Sequence, residues 1–244
     1  MRVLSAPELL NVWERGLAQS PLQRALTLLA AACSETTLEV LANLSIGQRD
    51  ARLLTLREWT FGSQLVSVVT CPGCGERLEL TFEAADLRAI PEAEPMDTLW
   101  LSVAGYELSF RLPNSSDLAA VANHKDIAAI RQLLLERCLC TVRLHGEPVS
   151  ADQLPAEVVD ALVERMTQVD PQADVQLALS CPRCDKQWQA AFDIESFFWS
   201  EINAWAQRIL QEVHVLASAY GWREIDILSL SPWRRQFYLN LVSG

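Results

Sequence analysis

Lysine is almost missing from the chain: Lys125 and Lys186 are the only two among 20 cationic residues. Set against 31 acidic residues, those cations leave a net charge of −11. That balance weighs against a broad electrostatic grip on nucleic acid or on an anionic membrane surface. Arginine in place of lysine suits planar, bidentate contacts better than loose polycationic binding, although high genomic G+C content would produce the same bias. Long hydrophobic runs are missing too. The most apolar stretch, residues 25–33, is about nine residues long, whereas a membrane-spanning helix needs roughly 20. The start, Met1-Arg2-Val3-Leu4-Ser5-Ala6-Pro7, reaches polar residues before it could build the apolar region of a leader peptide, so a cytoplasmic protein with no membrane partner is expected. Catalytic signatures are absent as well: there is no P-loop, dinucleotide fingerprint, nucleophile elbow or His-Glu-x-x-His. His124, His145 and His214 have no motif partners, and the acid pairs Glu92/Glu94 and Glu224/Asp226 read as solvated loop or helix-start charges. The expectation is a protein that is not an enzyme.

What is present is a folded composition. Half of the 244 residues are hydrophobic and 21% are charged, far from the regime of disorder and enough for one or two domains with a real core. Apolar positions recur at helical spacing through Leu9, Leu10, Val12, Trp13 and Leu17. Ser20-Pro21 is a helix-start signal, and a further helix follows Ser45, with Leu53, Leu54, Leu56, Trp59 and Phe61 as its core face and Arg49, Asp50, Arg52, Arg57 and Glu58 mostly outward. Gly62 is its stop. From Gln64 the pattern changes to β-formers, and Leu78, Leu80 and Phe82 alternate with Glu79, Thr81 and Glu83 as in a half-buried strand. Residues 91–97 read as a loop, 98–112 as a hairpin turning at Gly105, 117–135 as one helix, 138–144 as a strand turning at His145-Gly146, and 155–168 as a helix. Near the end, Phe198, Ile202, Trp205, Ile209, Val213, Leu216 and Tyr220 step by three and four, the stripe of a long core or partner-facing helix. A last helix begins at Ser231-Pro232, with Trp233, Phe237, Tyr238 and Leu241 on one side.

One internal duplication carries the strongest signal. Residues 65–87 and 175–197 align without a gap at an offset of 110 positions. Each has an apolar strand, a Cys-Pro-x-Cys turn and a second strand ending at Phe82 or Phe192. Two cysteines separated by two residues on a tight turn aim both sulfurs at one point. Two such turns face to face give a closed four-thiolate site, the zinc-ribbon arrangement, with Cys71, Cys74, Cys181 and Cys184 as ligands to one structural zinc ion. Gly75 suits the left-handed position after such a turn, and Asp185 takes that place in the second copy. Four thiolates around a divalent ion carry a net charge of about −2, which Arg77, Arg183 and Lys186 are placed to offset. A redox pair would want a βαβ setting and needs no second copy. Four protein ligands leave no open position for catalysis. Cys33, Cys138 and Cys140 have no further ligand pair and read as core thiols.

The expected fold is therefore α+β, mostly helical, with short antiparallel hairpins and a composite zinc ribbon made by two distant Cys-Pro-x-Cys knuckles. Three regions are expected, at 1–63, 64–197 and 198–244, drawn into one compact unit by the metal. The eight tryptophans and the C-terminal cluster of Trp222, Arg223, Trp233, Arg234, Arg235 and Tyr238 have the composition that protein interfaces favour, and equally that of aromatics locking the last two helices together.

Several of these residues carry a resemblance. Phe192-Asp193-Ile194, Trp199 with Glu201, Val213-His214-Val215-Leu216-Ala217, Tyr220-Gly221-Trp222-Arg223-Glu224, Ile227-Leu228-Ser229-Leu230 and Arg234-Arg235-x-x-Tyr238-Leu239 are together similar to the T-even-phage-type baseplate hub assembly proteins of contractile phage tails and related injection systems. The likeness also touches Phe110-Arg111-Leu112-Pro113 with Asp117-Leu118, and Asp170-Pro171. It implies a non-enzymatic assembly chaperone with baseplate, hub or spike proteins as partners. The zinc rests on the spacing and not on this likeness. A zinc-ribbon nucleic-acid module is the alternative reading.

Overall fold

In chain order the helices and strands are α1 (Ala6–Gly16), α2 (Pro21–Ala32), α3 (Leu38–Ala42), α4 (Ile46–Phe61), β1 (Gln64–Thr70), β2 (Arg77–Glu83), β3 (Leu99–Val103), β4 (Tyr106–Phe110), α5 (Ser115–Val121), α6 (Ile127–Cys138), β5 (Leu139–Leu144), β6 (Glu147–Pro148), α7 (Ala156–Val169), β7 (Gln176–Ser180), β8 (Gln187–Ala191), α8 (Ile194–Tyr220), α9 (Glu224–Leu228) and α10 (Pro232–Ser243). They come from a computed structural model, which describes residues 1–89 and 98–243. The loop expected at 91–97, with Glu92 and Glu94, lies outside the described residues. Helices mixed with small antiparallel hairpins are the α+β class expected from the sequence. Among the described residues no helix is long and apolar enough to cross a membrane.

The chain divides into two compact units, Thr36–Asp193 and a discontinuous one made of Met1–Glu35 with the chain from Ile194 onward. This regroups the three regions expected from the sequence. The helices α1 and α2 belong with the C-terminal helices, and α3 and α4 belong with the cysteine hairpins. The discontinuous unit is built on α8, whose buried Ala206, Ile209, Val213 and Leu216 join Leu10, Ile227 and Leu228 in one apolar cluster. Gly221, at φ +68, ends the helix as expected. Ser20 caps α2 by accepting from the Gln23 N–H, with Pro21 in the first turn. The Trp13 indole donates to Asn203 Oδ1 at 3.0 Å, and the Arg24 guanidinium lies 4.6 Å above the Trp199 ring.

The unit Thr36–Asp193 holds one four-stranded antiparallel sheet, β3-β4-β5-β6, and two separate hairpins, β1-β2 and β7-β8. Left-handed residues make both sheet turns, Ala104-Gly105 and His145-Gly146, the geometry that matches strand twist in tight hairpins. Leu99, Leu108, Phe110 and Val142 of the sheet pack on Leu135, Val158 and Leu162 from α6 and α7.

Three local expectations are corrected. The single helix at 117–135 is two helices, because the polar run Asn123-His124-Lys125-Asp126 interrupts the apolar pattern and Asp126 caps α6 by accepting from the Ala128 N–H. Cys138 closes α6 and is not the first residue of a strand. It is buried, while Cys140 on β5 is exposed and not a core thiol. On α4, Arg49 and Arg57 are buried and Trp59 is exposed. Arg57 turns inward because its guanidinium satisfies the Gly62 and Gln64 carbonyls at 2.8 Å each, just where the helix hands over to β1.

Candidate metal centre

The two cysteine turns are built alike. β1 and β2 pair in register from Gln64↔Glu83 to Thr70↔Arg77, and β7 and β8 from Gln176↔Ala191 to Ser180↔Gln187. At each tip the first cysteine's N–H closes the hairpin, donating to the Glu76 carbonyl at 2.8 Å in one copy and to the Lys186 carbonyl at 2.9 Å in the other. The chain then turns back, with Gly75 N–H donating to the Cys71 carbonyl at 3.0 Å and Asp185 N–H to the Cys181 carbonyl at 2.9 Å. Both turn residues are left-handed, Gly75 at φ +74 and Asp185 at φ +56. The Asp is tolerated there where most side chains would be strained.

Two polar anchors in the same unit hold the duplicated hairpins in place without help from the cysteines. Asp170 accepts the N–H of Gly47 at 3.0 Å at the start of α4, a carboxylate on a helix N-terminus, although its burial raises its pKa. Gln172 is buried and bridges the segment after β2, accepting from Ala89 N–H at 2.9 Å and donating to the Leu87 carbonyl at 3.1 Å. The chain before β7 is thereby tied to the chain on either side of β1-β2. At the hairpin bases Phe82 and Phe192, equivalent positions of the duplication, meet edge to face with centroids 5.7 Å apart.

The four sulfurs of Cys71, Cys74, Cys181 and Cys184 lie within 4.8 Å of one another. Two approaches run from hairpin to hairpin, Cys71 Sγ to Cys184 Sγ at 3.7 Å and Cys74 Sγ to Cys181 Sγ at 3.6 Å. The duplication maps one of these pairs onto the other, so the cluster has a local pseudo-two-fold. A tetrahedral zinc with Zn–S bonds of about 2.3 Å sets its sulfurs about 3.8 Å apart, so the residues fit a closed four-sulfur metal site. Cys71 and Cys181 are buried, and Cys74 and Cys184 are exposed.

The electrostatics favour a cation. At Cys71 burial opposes the thiolate, but the backbone N–H groups of Cys74 and Gly73 and the facing sulfurs outweigh it and bring the thiol down to about 7. At Cys184 the Lys186 N–H favours the thiolate, yet the neighbouring sulfurs and burial push the thiol up to about 12. Once one thiolate forms, the others resist, and a divalent ion at the centre is what removes that repulsion. Of the three cations expected to help, Arg183 is engaged by Glu76 at 2.7 Å across the two hairpins. Glu76 is a residue that sequence reasoning missed, and only the pairing of distant turns shows it. The Lys186 stem lines Gly73, and Arg77 is exposed.

The C-terminal residues singled out from the sequence fall into two groups. Trp222 stacks on Tyr220 with centroids 4.8 Å apart and meets Tyr238 edge to face at 4.9 Å. Arg235 is buried, donating to Glu212 Oε2 at 3.0 Å and to the Leu230 carbonyl at 2.8 Å, which occupies its guanidinium internally. Arg223 is exposed and paired with Asp226 at 2.8 Å. Trp233 and Arg234 are exposed. Tyr238 does not share the Trp233 side as expected. The outward stripe is Trp233 (75% exposed), Phe237 (51%) and Leu241 (60%). Phe237 and Leu241 were missed as surface candidates although their four-residue spacing was readable.

Comparison with known proteins gives a family match. A family model described as T4 bacteriophage base plate protein matches residues 9–199. The match spans both cysteine knuckles and stops short of the C-terminal residues, 213–239, that carry much of the sequence resemblance. No curated protein and no solved structure matches the chain.

Proposed function

The chain belongs to the T4 bacteriophage base plate protein family, and from that premise we propose that it is a non-enzymatic assembly factor or chaperone for the baseplate or hub of a contractile phage tail or contractile injection system. The observation that carries this reading is the family match across most of the chain. The partners are baseplate, hub or spike proteins, met in the bacterial cytoplasm while the particle is built. The exposed part of the C-terminal cluster, Arg223, Trp233 and Arg234, supplies contact surface of the composition interfaces favour.

Cys71, Cys74, Cys181 and Cys184 hold one zinc ion as a structural ligand set. Four thiolates fill a tetrahedral shell, so the ion would cross-link the two hairpins and leave no position for a reacting water. The net charge of −11 counts against the rival reading of a nucleic-acid-binding ribbon.

Co-expression of the full chain with baseplate, hub and spike proteins, followed by affinity capture and chemical cross-linking, tests the reading. A complex with one of them is expected, weakened about tenfold by Trp233→Ala with Arg234→Ala. Recovery of no stable or cross-linked complex with any of them contradicts it.

A further inference from the structure

The burial and pairing of the four thiols carry an inference beyond metal binding. Each hairpin-to-hairpin pair joins one exposed and one buried cysteine: Cys74 with Cys181, and Cys184 with Cys71. Both approaches, 3.6 and 3.7 Å, stand in a geometry in which one thiol can donate to the other. A small oxidant reaches Cys74 and Cys184 from solvent but does not reach Cys71 or Cys181. All four sulfurs lie within 4.8 Å of one another, and the approaches of 3.6 and 3.7 Å run from hairpin to hairpin.

We propose that this cluster is a thiol–disulfide exchange site for low-molecular-weight disulfides, in which oxidation expels the zinc and replaces it by two crosswise bonds, Cys71–Cys184 and Cys74–Cys181. The Cys74 thiolate attacks one sulfur of a small disulfide, forming a mixed disulfide and releasing one small thiolate. The buried Cys181 thiolate then attacks the Cys74 sulfur, forming the protein disulfide and releasing the second small thiolate. The same two steps occur at Cys184 and Cys71. Four protein thiolates are oxidised, two small disulfides are reduced to four thiolates, and one divalent zinc leaves. Closing each disulfide brings its sulfurs from 3.7 or 3.6 Å to about 2.05 Å. Because both bonds join residues more than a hundred positions apart, the oxidised protein keeps the cross-link that zinc provided. A bond within one turn would forfeit it.

The zinc release rests on the metal reading above; the disulfide pairing does not. The experiment exposes the full-length protein, its zinc content measured beforehand, to oxidised glutathione, follows zinc with a chromogenic chelator, and maps disulfides by mass spectrometry of non-reduced peptides. The expected result is one zinc released per two protein disulfides, Cys71–Cys184 and Cys74–Cys181. The melting temperature of the oxidised form should stand roughly 5 °C or more above that of reduced, chelated protein. Cys74→Ser should leave Cys71–Cys184 forming and abolish the other bond. Bonds within a turn, Cys71–Cys74 and Cys181–Cys184, overturn the proposal, as do stable glutathione adducts without protein disulfides. A protein purified without zinc overturns the metal reading alone, and its disulfide map still decides the pairing.

Discussion

Asp50, near the start of α4, sits where its own ionisation is resisted. Burial pushes its carboxyl up to about 6, with Asp193 and Asp170 adding like charge, and the Arg49 guanidinium at 2.8 Å only partly offsets them. A carboxyl whose pKa is higher folded than unfolded binds its proton more tightly in the folded state. It therefore costs stability as pH rises from about 4 to about 6, by about 3 kcal/mol in all. Asp50→Asn should remove that component. Chemical unfolding at pH 4 and pH 7 checks it: the variant's stability relative to the parent is expected to improve by up to that amount at the higher pH, and parallel pH profiles would contradict it. Residues of this kind are hard to see in a sequence. Asp50, Arg49 and Arg57 have the spacing of a solvated helix face, yet Arg57 is drawn inward by two carbonyls that the next strand presents. Gly75 and Asp185 were legible, because a left-handed backbone position restricts residue type directly.

Among elements, the hairpins were the most readable and the connections the least. Alternation over two residues locates β2 by its sequence alone, whereas the break between α5 and α6 depends on a capping bond from Asp126. The α5 start depends on charge that comes from elsewhere. Asp117, fully buried, accepts from Arg111 at 2.6 and 2.8 Å, from Arg137 at 2.8 Å and from the Asn114 N–H at 3.0 Å. Burial opposes its ionisation, but Arg111, Asn114 and Arg137 outweigh burial and lower its pKa. Its contribution is thus present above the usual carboxylate range and lost in acid, the opposite sign to Asp50. Asp117→Ala leaves two guanidiniums and a backbone N–H without their acceptor, and a loss of about 3–5 kcal/mol in urea unfolding is expected. A loss below about 1 kcal/mol would show that the carboxylate is not what holds β4, α5 and α6 in register.

At the scale of the molecule, the 110-position duplication announced four cysteines meeting at one point, and Cys71, Cys74, Cys181 and Cys184 do meet. Their sequence also explains why: equivalent turns with equivalent hydrogen bonds converge on a shared centre. The grouping of α1 and α2 with α8 was not legible, since Leu10 reads as an ordinary apolar helix position and its partners Ala206 and Ile209 stand far along the chain. The anchors Asp170 to Gly47 and Gln172 to Leu87 and Ala89 were equally hidden, because a polar side chain that bridges distant backbone groups has no periodicity to betray it. Family membership adds what physics of the chain alone does not supply, a baseplate-related role.

The metal is the central structural claim, and zinc K-edge X-ray absorption on the purified full-length protein, with zinc stoichiometry on the same sample, tests it most directly. One zinc per chain surrounded by four sulfurs at about 2.3 Å is predicted, lost together with the ion in Cys74→Ser or Cys184→Ser. Fewer than four sulfurs around the ion in the unaltered protein, or no stoichiometric zinc, would contradict it.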